Sequence, residues 1–353
     1  MTYDYSKTVD FLLDWYDFNA RILPWREHPK PYYIWISEIM LQQTRVEAVK
    51  FYFERFLNEL PNIQALAYAD EEKLLKLWEG LGYYNRVRNL QKAAQVILSE
   101  YNGEMPADYQ TLLTLPGIGS YTAGAIASIA FQIPEPAVDG NVLRVMKRIA
   151  GSFDDITKES VKKELIQDLR EIIPKGRPGD FNQAVMDLGA MICIPNGKPY
   201  CEKCPLMHLC AAFKQDIQMK IPVKPAKKPR KIEEKTILLI EVDGKYAIAK
   251  RGKKGLLAGL WEFPNMEGKL TTGQLEDKLL DMGIHSQSIT KLKEGKHIFS
   301  HVEWHMIGYH ITALSKINTE NDSYIWADKK QIHEEYSLPT AFEIFRNHLN
   351  DAI

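Results

Sequence analysis

Cysteine is scarce in this chain, and none lies outside residues 193–210. That excludes a disulfide-stapled secreted domain, which is smaller and carries its cysteines throughout. No apolar run approaches the roughly 18 residues of a membrane span. The opening Met1-Thr2-Tyr3-Asp4-Tyr5 is too acidic and polar for a secretory leader. The expectation is a reduced, cytoplasmic protein. Charge excess is missing too: the formal net charge is −1, so a nucleic-acid site must be a local patch. What is present is an ordinary globular composition, 45% hydrophobic and 26% charged, over 353 residues, enough for two or three cores.

The four cysteines stand as Cys193-x7-Cys201-x2-Cys204-x5-Cys210. Thiolates this close can wrap one metal centre, either tetrahedral zinc or an iron–sulfur cluster. Zinc sites commonly pair two tight knuckles, and only Cys201/Cys204 forms one, so the uneven spacing favours a cluster. Reduced structural thiols or a disulfide are the bland alternatives.

Residues 1–220 read as helices, with apolar positions recurring at i, i+3 and i+4 in Phe11–Tyr16, Leu74–Trp78 and Leu90–Ile97. Residues 221–235 carry 6 Lys/Arg against 2 Asp/Glu and four prolines or alanines with little to bury, which predicts a semi-rigid exposed linker. Its basic run is read as a solvated connector, with DNA tracking or partner binding as the alternative. From residue 236 the period becomes two. Thr236–Val242, Asp243-Gly244 and Tyr246–Ala249 predict a hairpin, and a helix is expected near Gln274–Met282. This last third, 236–353, is expected to be α+β.

Several residues could carry chemistry. Leu115-Pro116-Gly117-Ile118-Gly119 should join two helices through a tight turn. Gly117 and Gly119 would take backbone conformations other residues resist, freeing amides for a phosphate. A plain helix–helix turn is equally compatible. Glu38 lies in the apolar stretch Ile34–Leu41, where desolvation would raise its pKa toward a proton donor's range; a surface Glu on an amphipathic helix is the other reading. Asp139, before Gly140-Asn141-Val142, is a natural helix N-cap. Arg144, Lys147 and Arg148 would then line one side of that helix and meet phosphates or water. His297, His301 and His305 look metal-like. On one strand, however, they are spaced about 13 Å apart at roughly 3.3 Å per residue, too far to share an ion.

Taken together, Leu23-Pro24-Trp25-Arg26, Trp35–Thr44, Trp78–Tyr84, the LPGIG hairpin, Ala137–Asn141, Phe181–Ala184 and the cysteine quartet resemble the MutY-type adenine DNA glycosylases of the helix-hairpin-helix superfamily. Each motif alone is weak; the set in family order is specific. The resemblance implies a multidomain chain, with an all-α helix-hairpin-helix glycosylase core and cluster loop followed by an α+β Nudix-like domain. Residues 1–220 would be the glycosylase domain, with about 29–135 forming the helix-hairpin-helix barrel and 1–28 plus 136–220 the cluster part. The linker would be 221–235 and the Nudix-like domain 236–353.

The resemblance also implies roles. Glu38 and Asp139 would be catalytic, with Tyr121 and Asn141 holding their geometry. Arg21, Trp25, Arg26 and Gln183 would line the adenine pocket. Gln43 and Tyr83 would wedge into the base stack and Leu81 fill beside them, while Gly117 and Gly119 grip the backbone. Phe299-Ser300-His301 would inspect 8-oxoguanine. Cys193, Cys201, Cys204 and Cys210 would hold a structural [4Fe-4S] cluster, with Lys198 and Lys203 meeting phosphate. Two departures from relatives matter. Tyr121 occupies the position of the Schiff-base lysine of endonuclease III-like enzymes, implying a monofunctional glycosylase. Leu280 replaces one of the paired Nudix glutamates, implying a recognition fold without hydrolase chemistry. The first cysteine interval is seven residues where six is usual in the family.

The implied partner is double-stranded DNA bearing 8-oxoguanine·adenine or guanine·adenine mispairs. It would be bound by a monomer associated with the nucleoid when on DNA, with room for replication or repair protein partners. A helix-hairpin-helix glycosylase for another base, a non-catalytic damage-binding protein and a Nudix hydrolase are the competing classes.

Overall fold

A computed structural model describes residues 3–226, 229–315 and 324–351; Lys227 and Lys228 of the expected linker lie outside the described residues. The chain divides into two compact units, Met1–Tyr68 with Arg88–Ala226, and Ala69–Val87 with Lys227–Ile353. Among the described residues no helix is long and apolar enough to cross a membrane.

The first unit is helical, as its period-3.6 pattern predicts. One core brings Leu12 and Tyr16 of the Val9–Asn19 helix against Val142, Val145 and Met146 of Gly140–Ala150 and against Phe181, Ala184 and Leu188 of Pro178–Met191. The Pro31–Leu41 helix starts on a proline, which tolerates the first turn because its missing N–H had no partner there. It is buried over most of its surface, at Tyr32 and from Ile34 through Met40. A helix apolar on every side belongs in an interior, and this one carries Glu38 inside with it.

The glycine hairpin links Tyr109–Thr114 to Ser120–Ala125. Gly117 has φ +78°, and a Cβ there would sit 2.7 Å from the Asn89 side chain. Gly119 is different. Its φ −96° and ψ −179° are ordinary extended backbone, so the expectation of a special conformation holds only at Gly117. Gly124 allows a closer approach: a Cβ there would meet the Pro136 carbonyl at 2.3 Å. Asn182 holds the same strap, accepting from the Ala137 N–H at 3.0 Å and donating to the Glu135 carbonyl at 2.9 Å. Residues 135–138 are thereby pressed onto the Ser120–Ala125 helix.

The second unit is built on an eight-stranded mixed sheet: β1 (Lys231–Val242), β2 (Lys245–Lys250), β3 (Trp261–Glu262), β4 (Asn265–Glu267), β5 (Ser286–Lys291), β6 (Gly295–Ile298), β7 (Val302–Ala313) and β8 (Tyr324–Ala327). Its main order is β3-β2-β1-β7-β5, with β1 and β7 parallel. Ile237 and Leu239 face one core with Trp304, Phe342 and Phe345. Leu238 and Ile240 face the other with Leu275 and Leu279 of the Thr272–Asp281 helix, since successive strand residues point to opposite sides. The predicted hairpin is β1–β2, with Asp243 and Gly244 both at positive φ, as a two-residue primed turn demands. Ala69–Val87 packs within this unit: Trp261 Nε1 donates to Glu72 at 2.9 Å, and Arg346 Nη1 to Glu79 at 2.6 Å.

Two expectations need correction. β1 begins at Lys231, so the last five residues expected as linker are strand; they pair with Val302–Met306 of β7 through backbone bonds that side-chain composition does not report. The three histidines are not on one strand. β6 and β7 form a hairpin in which His297 lies opposite Trp304 and Lys296 opposite His305, with His301 in the turn. Among the described residues no three His, Cys, Asp or Glu side chains converge on a metal position.

Candidate active site

A cavity of about 170 Å³ opens in the first unit, lined by Arg21, Trp25, Arg26, Glu38, Tyr121, Asp139, Asn141 and Gln183. The structure thus brings together every residue expected for catalysis or for the base pocket. The volume is below the 300–1,000 Å³ typical of drug-sized sites, which suits a single small heterocycle.

Glu38 projects from the buried helix into this cavity and is only 5% exposed. Tyr121 Oη donates to its Oε2 at 2.6 Å. Burial pushes the Glu38 carboxyl up to about 7; the Tyr121 hydrogen bond and the Arg26 charge pull down, and Asp139 pushes up. Burial, with Glu38 and Asp139 nearby, holds the Tyr121 hydroxyl well above its ordinary range, so it stays a donor.

Asp139 caps the Gly140–Ala150 helix. Its Oδ1 accepts the Asn141 and Val142 N–H groups, each at 2.8 Å, and its Oδ2 accepts Asn141 Nδ2 at 2.9 Å. The N-cap reading and the site reading are therefore the same residue in one pose. Asn141 Oδ1 accepts from Arg144 Nη1 at 2.8 Å, and Arg144 continues to the Gly189 and Cys193 carbonyls at 2.8 and 2.9 Å. Lys147 pairs with Asp154 at 2.8 Å, and Arg148 donates to the Ile221 carbonyl at 2.8 Å. All three cations are buried. Facing phosphate or water, as their helical spacing suggested, is overturned: each is consumed inside the fold.

Arg21 and Arg26 of the cavity wall are held by a residue that sequence reasoning missed. Asp187, fully buried, accepts from Arg26 Nη1 at 2.7 Å and Nη2 at 2.9 Å, and from Arg21 Nε at 2.7 Å. The signal was available: Asp187 follows Gln183 by four residues, on the same face of the Pro178–Met191 helix and within the mostly apolar run Ala184–Met191. Trp25 is buried and packs edge-on to Phe53 with centroids 5.4 Å apart.

The remaining expected residues lie elsewhere. Gln43 is exposed at φ +60°, just past the end of its helix. In the second unit Tyr83 is exposed at φ +47°, while Leu81 is buried. Phe299 packs on Trp304 with centroids 4.9 Å apart, closes the β6–β7 turn through its N–H to the Val302 carbonyl at 2.9 Å, and leaves Ser300 and His301 exposed at the tip. Leu280 is exposed on the Thr272–Asp281 helix, four residues after an exposed Glu276.

All four cysteines line one small apolar cavity of about 30 Å³ with Val145, Ile149, Leu188 and Phe213. Arg148 Nη1 lies 3.3 Å from Cys193 Sγ. Burial pushes the Cys204 thiol up to about 12. Lys198 and Lys203 are exposed beside it in sequence.

Comparison with known proteins fits this geometry. The model of the HhH-GPD superfamily of base excision DNA repair proteins matches residues 36–171, and that of a NUDIX domain matches 236–347. The helical part is similar to a thermostable thymine-DNA glycosylase, with 30% identity and a TM-score of 0.54 over 60% of this chain and 97% of that one. It is also similar to endonuclease III in a non-covalent DNA complex, at 28% identity and TM-score 0.53 over 62% and 100%. A helix-hairpin-helix base excision repair fold with a Nudix-like second domain is thereby defined. Adenine DNA glycosylases are similar over nearly the whole chain. That of Buchnera aphidicola from Schizaphis graminum is 35% identical over 92% of this chain and 93% of its own. Those of Rattus norvegicus and Homo sapiens are 36% and 32% identical, over 83% and 95% of this chain and 68% and 72% of theirs. The chain belongs to the adenine DNA glycosylase family.

Proposed function

We propose that this protein is a monofunctional glycosylase that hydrolyses the N-glycosidic bond of adenine mispaired with 8-oxoguanine or guanine in double-stranded DNA. The observation that carries the reading is a buried carboxyl poised at about 7, Glu38, in one cavity with a second carboxylate, Asp139. Adenine must leave the stack to enter such a cavity, at a cost of a few kcal/mol that is least at a mispair. Glu38 then donates its proton to N7, making the base a neutral leaving group. The C1′–N9 bond breaks with its electron pair leaving on adenine, and the Asp139 carboxylate stabilises the oxocarbenium-like sugar through a transient covalent adduct. Water then adds at C1′ to release Asp139 and leave an abasic site, as in a retaining glycosidase. Tyr121 holds Glu38, and Asn141 holds Asp139. With tyrosine at 121 there is no amine to attack C1′, which supports hydrolysis without efficient strand cleavage.

Gln183, Trp25, Arg21 and Arg26 are assigned to the adenine pocket; Gln43, Tyr83 and Leu81 to the base stack; Gly117 and Gly119 to the phosphate backbone. Phe299, Ser300 and His301 are assigned to 8-oxoguanine. Cys193, Cys201, Cys204 and Cys210 are assigned to a [4Fe-4S] cluster; their uneven spacing and their place around one small void support it. Such a cluster supplies a structural centre to this region. The protein is taken to act as a monomer.

The test is a duplex labelled on either strand, incubated with protein and then treated with alkali. Breakage of the adenine strand only after alkali is the expected result; breakage opposite another base, or none, overturns the reading.

A further inference from the structure

Asp187 is the least exposed charged group at the cavity, and nothing in the catalytic scheme uses it. Its carboxylate binds Arg26 through both terminal nitrogens at 2.7 and 2.9 Å. It also takes Arg21 through Nε at 2.7 Å, Nη2 at 2.6 Å and the backbone N–H at 3.1 Å. Arg26 in turn donates to the Arg21 carbonyl at 3.3 Å. A planar guanidinium gripped at two points has one orientation. One carboxylate therefore fixes two pocket cations and the loop that joins them.

The arrangement also sets charge. Two half-buried guanidinium groups against one buried carboxylate leave an excess of one positive charge on this wall. The groups around Glu38 are Tyr121 from the Ser120–Ala125 helix, Asp139 from the cap of Gly140–Ala150, Arg26 from Pro24–Glu27, and Arg21 on the same cavity. Burial pushes the Asp187 carboxyl up, and Arg26 and Arg21 more than offset it, so it stays below the usual carboxylate range and keeps its charge.

We infer that Asp187 is a positioning residue: it orients Arg21 and Arg26 on the pocket wall and fixes the net charge that Glu38 faces. The inference rests on the adenine-excision reading. Its role differs from that of Asp139, which lines the cavity, whereas Asp187 is held by two arginines that line it.

The experiment measures single-turnover excision from an 8-oxoguanine·adenine duplex across pH for the full-length protein and for Asp187→Asn, Asp187→Glu and Arg26→Gln. Removing the Asp187 charge should lower the Glu38 pKa and move the alkaline limb of the rate profile down by about one unit. Arg26→Gln should move the same limb up, and Asp187→Glu should restore it toward the parent. Opposite displacements are a signature that general loosening of the pocket does not produce. Should Asp187→Asn fail to fold, Asp187→Ser, which keeps a short hydrogen-bonding side chain without the charge, takes its place: a limb moved down supports the role and an unmoved limb overturns it. Limbs that stay put or move together in active protein overturn the role of Asp187 alone. Absence of adenine release by the parent protein overturns instead the reading of the site.

Discussion

Tyr121 and Glu38, 83 residues apart in sequence, share a 2.6 Å hydrogen bond at the floor of the cavity. The hydroxyl favours the carboxylate and burial favours the carboxylic acid; burial wins, leaving Glu38 near 7. A proton donor at this setting is half-loaded near neutral pH. Tyr121→Phe removes the one hydrogen bond that pulls the value down. The Glu38 pKa should then rise, and the alkaline limb of the single-turnover profile should move to higher pH. A limb moving downward would show that the tyrosine does not act on this carboxyl.

Glu38→Gln should lower excision by at least about 10²–10⁴-fold, the usual contribution of a positioned general acid, while binding to the mispaired duplex persists. Excision near the parent rate would sink the assignment.

Stability should report the same group. The folded pKa of Glu38 lies above its unfolded value, so its contribution is whole below the ordinary carboxylate range and is lost as pH rises through about 7. Glu38→Gln should therefore be more stable than the parent at pH 8, by an unfolding free energy on the order of a few kcal/mol, and close to it at pH 4. Equal melting at both pH values would place the carboxyl in water.

Asp139 serves as cap and as proposed cation stabiliser, and substitutions separate the two. Asparagine caps a helix about as well as aspartate, so Asp139→Asn should keep the melting temperature and lose excision. Asp139→Ala should lose excision and about 1 kcal/mol of stability as well. Retained activity in the asparagine variant refutes the electrostatic role.

At the β6–β7 turn, Ser300→Ala and His301→Ala should narrow the preference for 8-oxoguanine over guanine without changing stability, because both side chains are exposed. Phe299→Ala should also destabilise the second unit, since that ring packs on Trp304. Unchanged discrimination between the two mispairs would remove this loop from recognition.

Iron and acid-labile sulfide analysis of purified protein should find an iron–sulfur cluster. Zinc in its place would overturn the cofactor and leave the glycosylase reading standing.

The sequence by itself determined the helical first part and the two-residue hairpin, because periodicity and turn chemistry are local properties. Through its resemblance to a known family it also marked eight of the sixteen residues that line the cavity, among them both carboxyl groups. It left Glu38 undecided between surface and interior, and it misplaced Arg144, Lys147 and Arg148 on an outer face. Helical spacing says which residues share a side; it does not say what covers that side. Only the tertiary structure decided those cases. The Pro31–Leu41 helix is buried from Ile34 through Met40, Asp139 and Tyr121 are brought to one cavity, and the helix carrying Gln183 delivers Asp187 to two arginines about 160 residues earlier in the chain. Proximity of this kind is made by packing of segments distant in sequence, and with it comes the burial that sets the charge state of Glu38.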